Sequence, residues 1–360
     1  MSDPPLTIRS LTARAVAAPL ARPLRTASGD IPVSPLLLID VASEQGPAGR
    51  AYIFGYTTLT LRALKALVDD LDEVVRGSPA APAVLAGELA ARFRLLGRQG
   101  LVGMALSGLD MALWDLRGRA LDRPVVELLG GRAARVPAYD SYGVVDPVAD
   151  AASLEGSVEQ GFRAIKVKIG VGDLAWDVKN LTGVRRVIGT DVKLMVDFNQ
   201  SLTAPEALRR IHALTDFDLA WVEEPVPAED VAGHARVREK SPVPIQTGEN
   251  WWFGHDMARA LAAGACDLCM PDVMKMGGVT GWLRAMGQAE AAAVPVSSHL
   301  FIEASAHLLP VTPLAHYLEF LDLAGAVLTE PPRPVDGRVT ARGPGLGMEW
   351  DEAAVTRYLL

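Results

Sequence analysis

From about residue 136 the chain alternates short apolar runs, each closing on a polar or charged residue, with longer stretches of helical periodicity. The runs are VPAYDS (136–141), AIKVKI (164–169), KLMVDF (193–198), LAWVEE (219–224), PIQTGE (244–249), DLCMPD (267–272), VPVSSH (294–299) and HYLEF (316–320). Runs roughly 20 to 30 residues apart read as βα units, and a count of eight favours a closed parallel barrel over an open doubly wound sheet. The predicted class is therefore α/β, with the barrel over residues 131–327.

The first 130 residues have a different texture. LTIRSLTARAVAAPL and PLLLIDVASEQGPAGRAYIFGY alternate like antiparallel strands separated by turn residues, and LTLRALKALVDDLDEVVRG has helical periodicity. GMALSGLDMALWDLRGRALDRPVVELLGG reads as a buried helix ending near Gly118, followed by a Pro-marked junction. An α+β domain over 1–130 thus precedes the barrel. The segment 328–360, rich in Pro and Gly, is too short for a domain and is expected to pack back on the N-terminal part.

Composition narrows the class. With 360 residues, 49% of them hydrophobic, the chain can bury a large core, and a net charge of −8 argues against a general nucleic-acid binder. The start, MSDPPLTIRS, lacks the basic and apolar regions of a secretory signal, and no apolar run reaches the ~18 residues of a membrane span. A cytoplasmic protein with no membrane partner is expected. The two cysteines, Cys266 and Cys269, form a lone CxxC inside an apolar run and read as buried structure rather than a redox or zinc pair. The Gly-rich KMGGVTG (275–281) lacks Walker A spacing and reads as a tight βα loop.

The ends of the runs carry the candidate chemistry. Read in order they give Ser141, Lys166 and Lys168, Asp197 with Asn199, Glu223 or Glu224, Glu249, Asp272, His299 and Glu319. In a parallel barrel these ends share one mouth, where the loops converge, and stability requires no ionisable group there. Asp197, one glutamate of the pair and Glu249 fall on successive strands, 26 residues apart each time. Strands lie about 4.8 Å apart, so three inward carboxylates crowd one another unless a hard cation joins them. An oxygen-only donor set points to Mg²⁺. Neighbouring strand positions face opposite ways, so one of Glu223 and Glu224 points inward, and alternation alone does not say which.

Lys166 and Lys168, two apart on a strand, share a face about 6.6 Å apart. At an effective dielectric of 20 they repel by about 2.5 kcal/mol, so Lys168 is expected to be pushed toward a neutral, basic amine. Asp272 and His299 end adjacent strands and can form a carboxylate–imidazole dyad that fixes the tautomer and raises the imidazole's basicity. The other histidines, His212, His234, His255, His307 and His316, lie in helix-like stretches or near strand starts and read as structural.

IKVKIG, MVDFNQ, WVEEP, QTGENW, MPDVMKMGGVTGW, SSHLFIEASAHLL and HYLEFLDLAG together resemble the mandelate racemase group of the enolase superfamily, over essentially the whole chain. The resemblance implies an α+β capping domain over a modified (β/α)₇β TIM-like barrel. It also implies one divalent metal per subunit, usually Mg²⁺ with Mn²⁺ as a possible substitute, and a homo-oligomer, octamer or dimer. It selects Glu223 as the metal ligand beside Asp197 and Glu249. A Lys or His base working against a metal-stabilised enediolate is the general pattern of such sites. Lys166 would then contact the substrate carboxylate, and Lys168 and His299 would serve the two faces of the α-carbon. Glu319 would stay protonated and donate to the carboxylate oxygen that gains charge, with burial among groups such as Phe320 and Leu321 raising its pKa. Asn199 would orient a neighbouring site group and Ser141 a substrate oxygen.

The resemblance also places two capping segments, PLRTASGDIP (23–32) and AYIFGYTT (51–58), over the barrel mouth. They offer Leu24, Ile31, Phe54 and Tyr56, with Leu300 and Leu321 below. An apolar lid suits the ring of an aromatic α-hydroxy acid, whereas a sugar acid would leave hydroxyls unpaired at about 1–3 kcal/mol each. The expected activity is a two-base racemase of a mandelate-like small-molecule carboxylate. The alternatives are a sugar-acid dehydratase of the same group and, less well supported, a non-catalytic metal-dependent binding protein, which needs neither base. A metal-dependent hydrolase is disfavoured because the first barrel strand has no HxH pair.

Overall fold

The computed structural model describes residues 6–26 and 29–360; the first five residues, and Ala27 and Ser28 within the PLRTASGDIP segment, lie outside the described residues. Strands β1 (Ile8–Thr26), β2 (Gly29–Ser43) and β3 (Ala48–Phe54) form an antiparallel sheet in that order. Against it pack α1 (Thr58–Val75) and α3 (Leu101–Ala120), α2 (Pro82–Arg92) packs on α3, and α4 (Val125–Leu128) leads into the barrel. Helix α1 follows its pattern: Leu61, Leu64, Val68, Leu71 and Val75 are buried at spacings of three and four, and the Thr57 side chain caps the N-terminus. Helix α3 ends at Ala120, near the expected stop at Gly118, and Arg119 in its last turn pairs with Asp115 one turn back at 2.5 Å. Asp115 also accepts from the backbone N–H groups of Arg50 and Leu346, so one buried carboxylate ties the capping sheet, α3 and the C-terminal segment together.

The barrel strands are β4 (Arg135–Ser141), β5 (Ala164–Lys168), β6 (Lys193–Asp197), β7 (Leu219–Glu223), β8 (Ile245–Thr247), β9 (Leu268–Cys269) and β10 (Leu318–Phe320). They run parallel in the order β10-β4-β5-β6-β7-β8-β9. Between them lie α5 (Ala151–Glu159), α6 (Leu174–Ile188), α7 (Ala204–Ala213), α8 (Val231–Lys240), α9 (Phe253–Ala262), α10 (Val273–Met276), α11 (Gly278–Ala291) and α12 (Ile302–Leu308).

The run 294–299 is not the regular strand expected. It joins β9 and β10 through isolated bridges, Val296 to Cys269 and to Ala315, and His299 to Asp272. Pro295 has no N–H to give a ladder, although its carbonyl accepts from Cys269. These bridges close the ring. After β10 the chain departs from the repeat: β11 (Arg338–Thr340) adds antiparallel to β4, and α13 (Glu352–Tyr358) contacts β1. This is the modified barrel with an α+β cap.

The segment 275–281 is not a tight loop either. Asp272 caps α10, and Gly277 and Gly278, both at positive φ, turn the chain directly into α11. A Cβ on Gly278 would collide with the carboxylate of Asp110 on α3, so close helix packing requires a glycine there. Cys266 and Cys269 are both buried and free. One apolar core runs from the capping sheet through α3 to α11 and α12, which fixes the cap relative to the barrel mouth. Inside the barrel, Tyr139, Met195 and Trp221 close the floor, with the Tyr139 and Trp221 rings edge-on at 5.5 Å. No helix among the described residues is long and apolar enough to cross a membrane.

Candidate active site

Alternation along the strands brings Lys166, Lys168, Asp197 and Glu223 to the mouth, in phase with Ala164, Met195 and Trp221 on the floor below. Glu223 is the inward member of its pair. Glu224 is equally buried but leaves the strand through a left-handed φ of 38°, and its carboxylate meets the Nδ2 of Asn250. One ligand atom from each of Asp197, Glu223 and Glu249 lies within 4.8 Å of the others, and all three residues are buried. The site therefore suits a divalent cation. Burial pushes Glu223 up to about 7, with Asp197, Glu319 and Glu249 adding to the rise against the opposing pull of Lys166. In this geometry two ammonium groups offset part of that negative charge: Lys166 pairs with Glu223 and Lys168 with Asp197.

That pairing keeps Lys168 protonated in this geometry, where a neutral amine was expected. Burial, the largest single influence, and Lys166 lower its pKa, but Asp197, through its charge and its hydrogen bond, and Glu249 together raise it overall. Repulsion between the lysines is present and is smaller than the attraction of the carboxylates around them. Lys166, held by Glu223 and Glu319, is raised well above the ordinary value against the opposing effect of burial.

Glu319 also departs from expectation. It is ringed by donors rather than apolar groups: Ser141 Oγ donates at 2.7 Å, the Leu300 N–H at 3.0 Å, and the Lys166 ammonium lies at 2.8 Å. Burial favours the neutral acid, but Lys166 and His299 prevail and bring its pKa down to about 2. Ser141 thus binds Glu319 while also lining the cavity above the site. Leu300 reaches that carboxylate from a left-handed φ of 50°, a strained conformation at the rim of the site.

His299 and Asp272 form the expected dyad, with Nδ1 2.7 Å from Oδ2. The remaining Asp272 oxygen accepts from the Met274 N–H at 2.7 Å, so the carboxylate is fixed by the first turn of α10. Nδ1 therefore carries the proton shared with Asp272, and Nε2 faces the site, 3.3 Å from Glu249. Burial lowers the His299 pKa, yet Glu249 and the bond to Asp272 raise it overall.

Asn199 was expected to orient a neighbouring site group. The contact made is with its backbone: the N–H donates to Asp197 Oδ1 at 2.6 Å from a left-handed φ of 48°. Strand-end reading missed Trp221 and Gln246, which donate to Glu223 Oε2 at 3.2 and 2.9 Å. It also passed over Asn250 and left Lys275 without a role. Trp221 stands two positions before Glu223, and Gln246 is its register partner on β8, so the i, i+2 rule could have found the first.

Above these groups lies a cavity of about 610 Å³. Leu24, Ile31, Phe54 and Tyr56 of the cap line it with Leu300 and Leu321 of the barrel, and Ser141, Lys166, Lys168, Asn199, Glu249, His299 and Glu319 face the same space. Asp197, Glu223 and Asp272 are not part of its wall. A separate cavity of about 390 Å³ opens around Asp110 between α2, α3, α9 and α11, away from all of these residues.

Comparison with known proteins agrees with this arrangement. Residues 8–130 match the mandelate racemase / muconate lactonizing enzyme N-terminal domain family, and residues 149–354 match the enolase C-terminal domain-like family. The chain belongs to the enolase superfamily, in its mandelate racemase subgroup. A solved structure of an enolase from Bradyrhizobium, complexed with magnesium and mandelic acid, is 56% identical, covers 100% of both chains and has a TM-score of 0.97. D-galactarolactone cycloisomerase of Agrobacterium fabrum is 35% identical over 73% of this chain and 75% of its own. L-talarate/galactarate dehydratase of Salmonella typhimurium is 31% identical over 72% of this chain and 66% of its own.

Proposed function

We propose that the protein is a metal-dependent racemase of an aromatic α-hydroxy acid of the mandelate type. The observation that carries this reading is the flanking of the Asp197, Glu223 and Glu249 carboxylates by two unlike bases. Lys168 lies on β5 and His299 on the far side of β9, both beneath an apolar lid. Asp197, Glu223 and Glu249 would hold Mg²⁺, which when bound supplies positive charge to the substrate's carboxylate oxygens.

The chain's own groups account for the proton transfers. Lys166 pairs with the substrate carboxylate. Lys168 acts as the neutral amine, the form that burial and Lys166 favour once Asp197 serves as a cation ligand instead of pairing with it. It removes the α-proton from one face, the C–H electron pair passes into the enediolate, and protonated His299 delivers a proton at Nε2 to the opposite face. The reverse direction exchanges the two roles. Glu319 is ionised while Lys166 lies beside it. Drawing that ammonium toward a substrate anion removes the strongest influence lowering its pKa, so burial can then hold the acid neutral as a donor.

The apolar lid formed by Leu24, Ile31, Phe54 and Leu321 accommodates a phenyl ring. The mandelic acid complex of the Bradyrhizobium neighbour supports the same substrate. A second reading, a sugar-acid dehydratase or cycloisomerase, is favoured by the named relatives and by Asp30, Thr57, Gln200 and Asn250 in the cavity wall, which could pair with hydroxyls. Polarimetry of (R)-mandelate with Mg²⁺, run beside sugar acids assayed for keto-acid formation, separates the two. Decay of rotation without keto acid supports the racemase. Keto acid from a sugar with static mandelate rotation transfers the activity to the second reading.

A further inference from the structure

Lys275 is a buried cation beside the site that the proton-transfer chemistry does not use. It sits on α10, three residues after the dyad carboxylate Asp272, which caps that helix and accepts from the Met274 and Lys275 N–H groups. Its Nζ lies 2.5 Å from Asn250 Oδ1 and 5.0 Å from the centre of the Tyr56 ring. The other end of the same amide faces acid groups: Asn250 Nδ2 donates to Glu224 at 2.9 and 3.1 Å and to Glu249 Oε1 at 3.3 Å.

We propose that Lys275 is a positioning residue for the cation site, locking the Asn250 amide so that its NH₂ end holds Glu249 Oε1. An ammonium has three donors and no acceptor, so it can bond only the carbonyl end of the amide. With Oδ1 held by Lys275, Nδ2 is directed at Glu224 and Glu249, and Glu249 is fixed through one oxygen. The Tyr56 ring, from the cap, covers the ammonium and ties the lid to the same contact. Because Asp272 and Lys275 share one turn of α10, a single short element positions both the His299 dyad and the Glu249 ligand.

The inference rests on reading Asp197, Glu223 and Glu249 as the cation site, and its test separates the two. Mg²⁺ affinity is measured by calorimetry on substrate-free protein for wild type, Lys275→Met, Lys275→Arg, Asn250→Leu and the Met/Leu double variant, with thermal melts of each chelated form. Outer contacts to metal ligands typically contribute 10- to 100-fold in affinity. Lys275→Met should weaken Mg²⁺ binding by about tenfold or more, and Lys275→Arg, which keeps a donor, should restore most of it. The double variant should bind no more weakly than Asn250→Leu alone, because both substitutions break one chain of contacts. If Lys275→Met destabilises the chelated fold, the Arg rescue and the non-additivity still decide the matter. Wild-type affinity in Lys275→Met, or fully additive losses in the double variant, overturns the relay. Absence of Mg²⁺ binding by the wild type overturns the site assignment and this inference with it.

Discussion

His299 Nδ1 lies 2.7 Å from Asp272 Oδ2, and that one contact decides which nitrogen can do chemistry. With Nδ1 committed to the carboxylate, Nε2 is left facing Glu249 and the cavity. Asp272→Asn would offer an amide where the carboxylate accepts, removing the group that fixes the tautomer. That variant should lower the rate of proton removal by His299 by about 10²-fold or more while leaving removal by Lys168 within a few-fold. Solvent-exchange rates for each enantiomer separately are the measurement, and equal losses for both would break the assignment.

Three buried carboxylates within 4.8 Å should make activity depend on a divalent cation. Treatment with a chelator should abolish turnover, and added Mg²⁺ or Mn²⁺ should restore it. Glu249→Gln deletes one anionic ligand and should weaken Mg²⁺ affinity by a factor of 10 or more. Unchanged turnover after exhaustive chelation contradicts the prediction.

Trp221 and Gln246 both donate to Glu223 Oε2. Gln246→Leu removes one of these bonds with little change in volume and should weaken Mg²⁺ binding by about 10-fold, readable by calorimetry. An affinity equal to wild type would mean that Trp221 and the strand hold Glu223 unaided.

The barrel, its order and the mouth residues were legible because period-2 alternation and strand-end position are local properties of a chain. Glu249, Asp272 and His299 stand where the run ends placed them, whereas alternation left Glu223 and Glu224 open and the family resemblance chose between them. Charge states were not legible in the same way. The expected repulsion between Lys166 and Lys168 is real, but which effect prevails depends on carboxylates brought in by other strands, and Asp197 and Glu249 together raise the Lys168 pKa in this geometry. Glu319 was judged by its chain neighbours, Phe320 and Leu321, whereas its contacts come from Ser141, Leu300 and Lys166, all distant in sequence. The 294–299 run has strand-like composition, but Pro295 and the brevity of its neighbours leave it bridging rather than forming a ladder.

Glu319 should act chiefly in the transition state. Glu319→Gln keeps a hydrogen-bond donor but loses the acid, and kcat and kcat/KM should fall together by about 10²-fold. Near-normal kcat with a raised KM would reassign the residue to ground-state binding.

Glu303 gives a pH signature outside the site. Burial raises its pKa from 4.5 to about 7, with Asp322 adding to the rise, although the Tyr52 hydroxyl donates to its carboxylate at 2.7 Å and opposes it. A folded pKa above the unfolded one means that the contribution to stability is complete below about pH 4.5 and is lost as pH rises through about 7. Glu303→Gln removes that loss, so the variant should match wild type near pH 4 and exceed it at pH 8 by up to about 3 kcal/mol. Thermal melts across this range check both the sign and the window.

The central claim is that two bases serve opposite faces of one α-carbon, and isotope exchange in deuterated solvent tests it most directly. (R)- and (S)-mandelate are incubated separately with His299→Asn and with Lys168→Ala, and loss of the α-proton signal is followed by NMR. Neither variant should racemise mandelate. His299→Asn should still exchange the α-proton of one enantiomer through Lys168, and Lys168→Ala should exchange only the other through His299. Loss of exchange for both enantiomers in each folded variant, or exchange of the same enantiomer by both, would contradict the account.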